Sequence, residues 1–361
     1  MNRNVAATAA LSLLFLGAVL TADSSASEAV AAPTVAQMVG QRMLVAFHGT
    51  TPDEALLARI KAGQIGGVIL SSGNIRDATQ LTRLTGKLQA AARAGGRPPL
   101  LVAVDHEGGL VRRVPWAPPK ASAEELGTTT ATHVETVGRN TGVALRNVGV
   151  NLDLAPVADV PRTRSNFLEA KHRAFAANNR YIVAKDAAAF ADGLEVGGVL
   201  PTLKHFPGLG RAGATSTDDG LVRITASQQQ IGYDLLPYRA ALAKSLNPVI
   251  MLSTAVYPAY SPRAAVWSSA IGRTLLRHDL GFRGVTVTDS LTAAAAVRGT
   301  TQGVLAIRSA KVGVDLLLVT GSESTSQAAY QAVLREARSG AISLANLQAS
   351  YARIVELKSR I

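Results

Sequence analysis

Along the chain, short apolar runs bounded by Gly, Pro or Asn alternate with longer Ala-, Leu- and Arg-rich stretches of helical period. Eight runs can be counted, over residues 42–47, 67–71, 100–105, 151–156, 199–205, 248–254, 284–289 and 315–320. Most are rich in Val, Ile and Leu without strict polar alternation, the pattern of strands covered on both faces. The intervening stretches, such as 75–93, 132–147, 180–195 and 227–244, are long enough for crossover helices. Eight strand–helix repeats predict an α/β fold, a (β/α)8 TIM-type barrel in a single domain. An open doubly wound sheet would call for a Gly-rich phosphate fingerprint after its first strand, and none is present. A helix is expected over 343–360, with Ser343 as its cap and an apolar stripe at Leu344, Leu347, Tyr351, Ile354 and Leu357.

The first residues depart from this rhythm. Arg3 precedes an apolar run from Val5 to Leu20 and then a string of small residues, the order of a secretory signal peptide. Residues 1–31 are therefore expected to be a leader and the start of a linker, with cleavage near Ala26 or Ala31, leaving the barrel to residues 32–361. The run is short against the roughly 20 apolar residues of a spanning helix, so an exported protein is favoured over one kept on a membrane anchor. The chain has no cysteine, which excludes disulfides, thiolate metal sites and lipidated cysteine, so stability has to come from the core. Its formal charge is +12, and loss of Arg3, Asp23 and Glu28 with the leader raises that by one. Such a protein should linger near anionic surfaces, although scattered Arg and Lys also simply favour solubility. Nucleic acid is not an expected partner, because only 4% of residues are aromatic and the basic residues do not interleave with stacking side chains.

In a barrel the carboxyl ends of the strands share one mouth, so charged residues closing the apolar runs become candidates for chemistry. They are Asp105, Asp153, Asp159, Lys204, His205 and Asp289. Asp105 ends a wholly apolar run and is followed by His106 and Glu107, or it forms the turn before two glycines. Asp289 is either chemical or the cap of the following helix. Lys204 and His205 are either functional or a structural ion pair and a hydrogen-bonded histidine. Asp153, between Leu152 and Leu154, reads as structural, gripping loop N–H groups, and Asp159 stays open.

Four segments, in order, carry a family resemblance: AVDHEGGLVRRV, NLDLAPVADV, LKHFPGLG and GVTVTDSL. They resemble the DxEGGxVxR, NxNxAPVxD, KHFPGHG and GVxxSDDL segments of glycoside hydrolase family 3, specifically its single-domain β-N-acetylglucosaminidase branch. The resemblance implies a (β/α)8 barrel that cleaves terminal β-linked sugars, N-acetylglucosamine of cell-wall fragments foremost, by a retaining mechanism. Asp289 matches the nucleophile. Asp105, Arg113, Lys204 and His205 match sugar-binding positions, as does Arg173 in the HRAF segment. No metal or organic cofactor is implied, and the expected partner is a glycan. The branch's general acid/base, an Asp-x-His pair shortly after the loop, is missing: Thr215, Ser216 and Thr217 stand there. Leu209 and Thr254 likewise occupy positions where the branch has histidines. Asp219 is the candidate acid/base, with Asp218 beside it, since a desolvated carboxyl can hold its proton near neutral pH; the plainer reading of both is a solvated acidic turn. His106 is a further candidate acid. The class-level rival is a sugar-binding protein on the same barrel with impaired catalysis; an anionic-polymer binder would rest on charge alone.

Overall fold

The computed structural model describes Met1, residues 32–244 and residues 246–361; apart from Met1, the expected leader lies outside the described residues. From Thr34 onward the chain forms one compact unit. Each apolar run contributes one parallel strand: β1 (Met43–Val45), β2 (Gly67–Leu70), β3 (Leu101–Val104), β4 (Leu152–Asp153), β5 (Leu200–Phe206), β6 (Val249–Leu252), β7 (Thr286–Thr288) and β8 (Leu317–Val319). They hydrogen-bond in sequence order from β1 to β7, with β8 on the other edge of β1. A parallel bridge between Val287 and Leu316 brings the two edges together. The result is a (β/α)8 barrel.

The strands read as uniformly apolar because both of their faces are buried, in different places. Leu44, Ile69, Leu101, Ala103, Met251 and Leu318 point into the lumen cluster. Their neighbours Met43, Val45, Val68, Leu70, Val102, Val104, Ile250, Leu252, Leu317 and Val319 belong to the larger layer under the helices. The two-residue period of a strand is present but invisible to hydropathy, since neither face meets water.

The expected helices form at Ala78–Ala94, Ala131–Arg146 and Arg180–Val196. The stretch 227–244 instead divides into Gln228–Asp234 and Leu236–Ala243. Pro237 explains the break: it has no N–H to continue the ladder and is at home in a first helical turn. Ser343 caps the terminal helix Leu344–Lys358 through the N–H of Asn346. Leu347, Ile354 and Leu357 of its stripe are buried, whereas Leu344, in the first turn, is exposed. Ile354 and Leu357 pack against the lumen residues and Lys358 donates to the carbonyl of Gly66 just before β2 (2.7 Å), so this helix stops the amino-terminal end of the barrel.

That end is also held by Asp315, just ahead of β8. Its carboxylate accepts from Arg277 (2.7 Å), Arg353 (2.6 Å), Ser350 (2.8 Å) and the N–H of Thr286 (2.8 Å). A fully buried anion with two guanidinium partners ties β7, β8 and the terminal helix at the base, and leaves the opposite end free for chemistry.

Candidate active site

At the carboxyl end of the strands lies a cavity of about 190 Å³, floored by Ile69, Leu154, Met251 and Leu318 and walled by charged side chains. Strand ends supply Asp105, Lys204, His205 and Asp289, and loops supply Glu107, Arg113, Arg173, Thr217 and Asp218. Of the candidate positions of the sequence, Asp105, Arg113, Arg173, Lys204, His205, Asp218 and Asp289 therefore line one space, whereas His106, Asp153, Asp159 and Asp219 do not.

After β3 the chain turns through a small hairpin, His106–Gly108 paired with Val111–Arg112. Gly108, at φ 97°, makes that turn possible: a β-carbon there would sit 2.3 Å from the carbonyl of Ala121. The hairpin presents Glu107 and Arg113 to the cavity, whereas His106 is fully buried behind it. The His106 ring meets the carbonyl of Pro118 (3.0 Å) with Nε2 and the N–H of Val114 (3.3 Å) with Nδ1, and burial pulls its pKa down to about 4. A neutral ring with both nitrogens engaged fixes the hairpin, which removes His106 from the candidate acids.

The centre of the cavity wall is a network of opposite charges. Lys204 Nζ reaches Asp105 Oδ1 (2.8 Å) and Glu107 Oε1 (2.7 Å), while Arg173 grips Glu107 with two bonds of 2.8 and 2.7 Å. Burial alone would raise the Glu107 carboxyl; Arg173 and Lys204 reverse that and hold it well below the usual carboxylate range. Burial alone would also lower Lys204, and Asp105 with Glu107 push it above the ordinary lysine value instead. Both groups stay charged, so the cavity offers fixed ionic donors and acceptors of the kind that orient sugar hydroxyls. The structural reading of Lys204 and its position on the cavity hold together.

His205 is oriented from behind by Asp159. The carboxylate accepts from the ring at Nδ1 (2.7 Å), from the His205 N–H (3.2 Å) and from the N–H of Leu209 (2.6 Å). Asp159 thus sets both the imidazole and the start of the loop after β5, and Leu209 serves through its backbone with its side chain fully buried. Asp153, also fully buried, accepts from the N–H of His106 (2.9 Å), the loop-gripping role its sequence context suggests, and burial raises its pKa well above normal.

Asp289 follows β7 and accepts the N–H of Ser290 (2.7 Å). The helix that follows, Leu291–Val297, is capped by Ser290, whose hydroxyl receives the N–H of Ala293 (3.2 Å). Capping is therefore assigned to the serine, and Asp289 lines the cavity. Across it stands the loop of residues 216–220. There the Ser216 hydroxyl donates to Asp219 (2.8 Å) and accepts the N–H of Asp218 (3.2 Å), and the N–H groups of Asp219 and Gly220 return to the Ser216 carbonyl. The turn folds the Asp219 carboxylate onto its own loop, off the cavity lining, and places Asp218 on it. Asp218 is solvent-accessible at the rim, yet partial desolvation, and then the negative charge of Asp289, raise its pKa.

The lining adds Glu107 to the residues the sequence points to, and it puts Asp218 in the place the sequence gives first to Asp219. Glu107 lies inside the DHEGG run two residues after Asp105, and that spacing is the available signal. Because Glu107 is held far below its ordinary pKa of 4.5, its pairing stabilises the fold above that value and loses the contribution as pH falls through and below it. Glu107→Gln should accordingly cost roughly 3–5 kcal/mol near neutral pH, since it leaves buried cations short of a partner. Urea unfolding at about pH 7 and about pH 3 should show a smaller loss on acidification in the variant than in the parent; equal losses would contradict the assignment.

Known proteins resemble the chain over nearly all of the barrel. The model of the glycosyl hydrolase family 3 N terminal domain matches residues 34–357. An uncharacterized secreted glycosyl hydrolase of Arthroderma benhamiae is 35% identical over 346 residues, covering 92% of this chain and 97% of the relative. Beta-hexosaminidase LpqI of Mycobacterium tuberculosis is 32% identical over 307 residues, covering 81% of this chain and 76% of its own. Among solved structures, the beta-N-acetylhexosaminidase from Beutenbergia cavernae has a TM-score of 0.82 and 31% identity, covering 91% of this chain and 99% of that one.

Proposed function

The chain belongs to glycosyl hydrolase family 3, and from that premise we propose that this O-glycosyl hydrolase of the β-N-acetylhexosaminidase type removes terminal β-linked N-acetylglucosamine with retention, Asp289 acting as nucleophile and Asp218 as acid/base. The observation that carries the reading is the pairing of two unlike carboxyls in one cavity. Asp289 closes a barrel strand beneath the ring of sugar-binding charges, while Asp218 stands on a loop and is held toward its protonated form by desolvation and by Asp289 itself.

The terminal sugar enters with its hydroxyls toward Asp105, Arg113, Arg173, Lys204 and His205. The carboxylate of Asp289 attacks the anomeric carbon as the glycosidic C–O bond breaks, and Asp218 gives its proton to the departing oxygen. Asp218, now a carboxylate, takes a proton from water, whose oxygen displaces Asp289 from the anomeric carbon and regenerates both groups. Substrate seated at the rim covers Asp218 and strengthens the desolvation that keeps its proton in the first step.

Export and a cell-wall fragment as substrate complete the proposal. It is supported by the leader-like order of residues 1–31 and by the relative described as secreted. The test is proton NMR of the first product released from an aryl β-N-acetylglucosaminide. The β anomer should appear first and mutarotate later; initial release of the α anomer would refute retention, and no release would refute the substrate class.

A further inference from the structure

A second cavity, of about 490 Å³, opens on the flank of the barrel and shares no lining residue with the first. Its walls are Val256, Pro262, Ala264, Trp267 and Val312, with Arg263, Arg298, Arg308 and Lys311 as the charged members and no acidic side chain among them. The loop after β6 forms one wall and the helix Gln302–Val312 the other, fastened by the Trp267 indole N–H on the hydroxyl of Ser309 (3.0 Å).

None of the three arginines has a carboxylate partner among the described residues. Arg298 donates to the carbonyl of Thr254 (2.9 Å) and lies over the Trp267 ring at 4.7 Å, which fixes its plane. Burial, and then the like charge of Arg308, lower its pKa. Arg263 and Arg308 make no side-chain hydrogen bond or ion pair among the described residues, and only Lys311 has a carboxylate, that of Glu336 at 2.7 Å. Arg298 and Arg308 repel each other across a cavity that Arg263 also lines, and an anion bound there would relieve that repulsion.

We propose that this flank cavity is a second binding site, for a phosphate group carried on an organic frame. A phosphate presents three acceptor oxygens and can engage several guanidinium forks together, whereas a carboxylate is satisfied by one or two. The apolar remainder of the lining receives the frame, and the partly exposed position of the cations leaves the opening accessible to a chain as well as to a small molecule.

Calorimetric titration of the full chain with glycerol 3-phosphate and, separately, with a poly(glycerol phosphate) chain tests the site and distinguishes a free phosphoester from a phosphodiester polymer. At least one should bind at low salt, and the double variant Arg263→Glu/Arg308→Glu should weaken it by about 100-fold. The same charge change at exposed Lys87 and Arg93, on the helix after β2, should leave affinity within a few-fold, and hexosaminide turnover should persist in both variants. Binding of neither probe overturns the proposal. So does equal weakening by the two double variants, which would reduce the effect to net charge. Because turnover and phosphate binding are read independently, failure of this site and failure of the glycosidase assignment are distinguishable.

Discussion

Asp289→Asn is expected to lower turnover of every β-N-acetylglucosaminide by about 10⁴-fold or more, whatever the leaving group. The amide cannot form the glycosyl ester, and an activated leaving group does not replace a missing nucleophile. The fold should tolerate the change, because the contact the side chain makes is acceptance of the Ser290 N–H at 2.7 Å, which an asparagine oxygen also provides, while Ser290 continues to cap the next helix. Affinity for the sugar should stay within a few-fold, since Asp105, Lys204 and Arg173 are untouched. Loss of turnover together with loss of sugar binding would indicate a disturbed pocket; unchanged turnover would remove Asp289 from the chemistry.

For Asp218→Ala the expected loss depends on the substrate. Proton donation contributes about 10² to 10⁴-fold, so a methyl glycoside should lose that much, while dinitrophenyl glycoside, whose leaving group departs without a proton, should lose far less in the first step. Asp219→Ala should remain within a few-fold of the parent on both, because that carboxylate is turned onto Ser216. The pH dependence carries a sign: the first step needs Asp218 protonated, so kcat/KM on the methyl glycoside should fall as pH rises through its raised pKa, and that alkaline limb should vanish in Asp218→Ala. Equal losses of kcat/KM on both substrates, or a larger effect at Asp219, would reassign the acid.

The barrel was legible because each of its eight strands buries both faces, so every run stood out as apolar between turn residues. Position on a strand end likewise exposed Asp105, Lys204, His205 and Asp289, for which topology alone predicts a shared mouth. Loops were harder. Whether Asp218 or Asp219 faces the cavity depends on the Ser216 turn, a matter of backbone direction that residue type does not encode. Asp159 stayed open in sequence because its role, orienting His205 and the Leu209 N–H, exists only after residues 46 and 50 positions away are brought to it. The flank cavity assembles Arg263, Arg298 and Arg308 from three separate segments, where composition registered only a net charge of +12. The split of the helix over 227–244 is the opposite case: Pro237 was in plain view.

The most direct test is the mass of the intact Asp218→Ala protein after brief exposure to dinitrophenyl β-N-acetylglucosaminide, followed by peptide mapping. That variant can form the glycosyl-enzyme with the activated substrate but lacks the base that assists its hydrolysis, so the intermediate should accumulate. One added sugar residue per chain is expected, carried on the peptide containing Asp289 and absent when Asp289→Asn is combined with Asp218→Ala. A protein that turns the substrate over with no adduct, or an adduct on another residue, would contradict a retaining mechanism through Asp289.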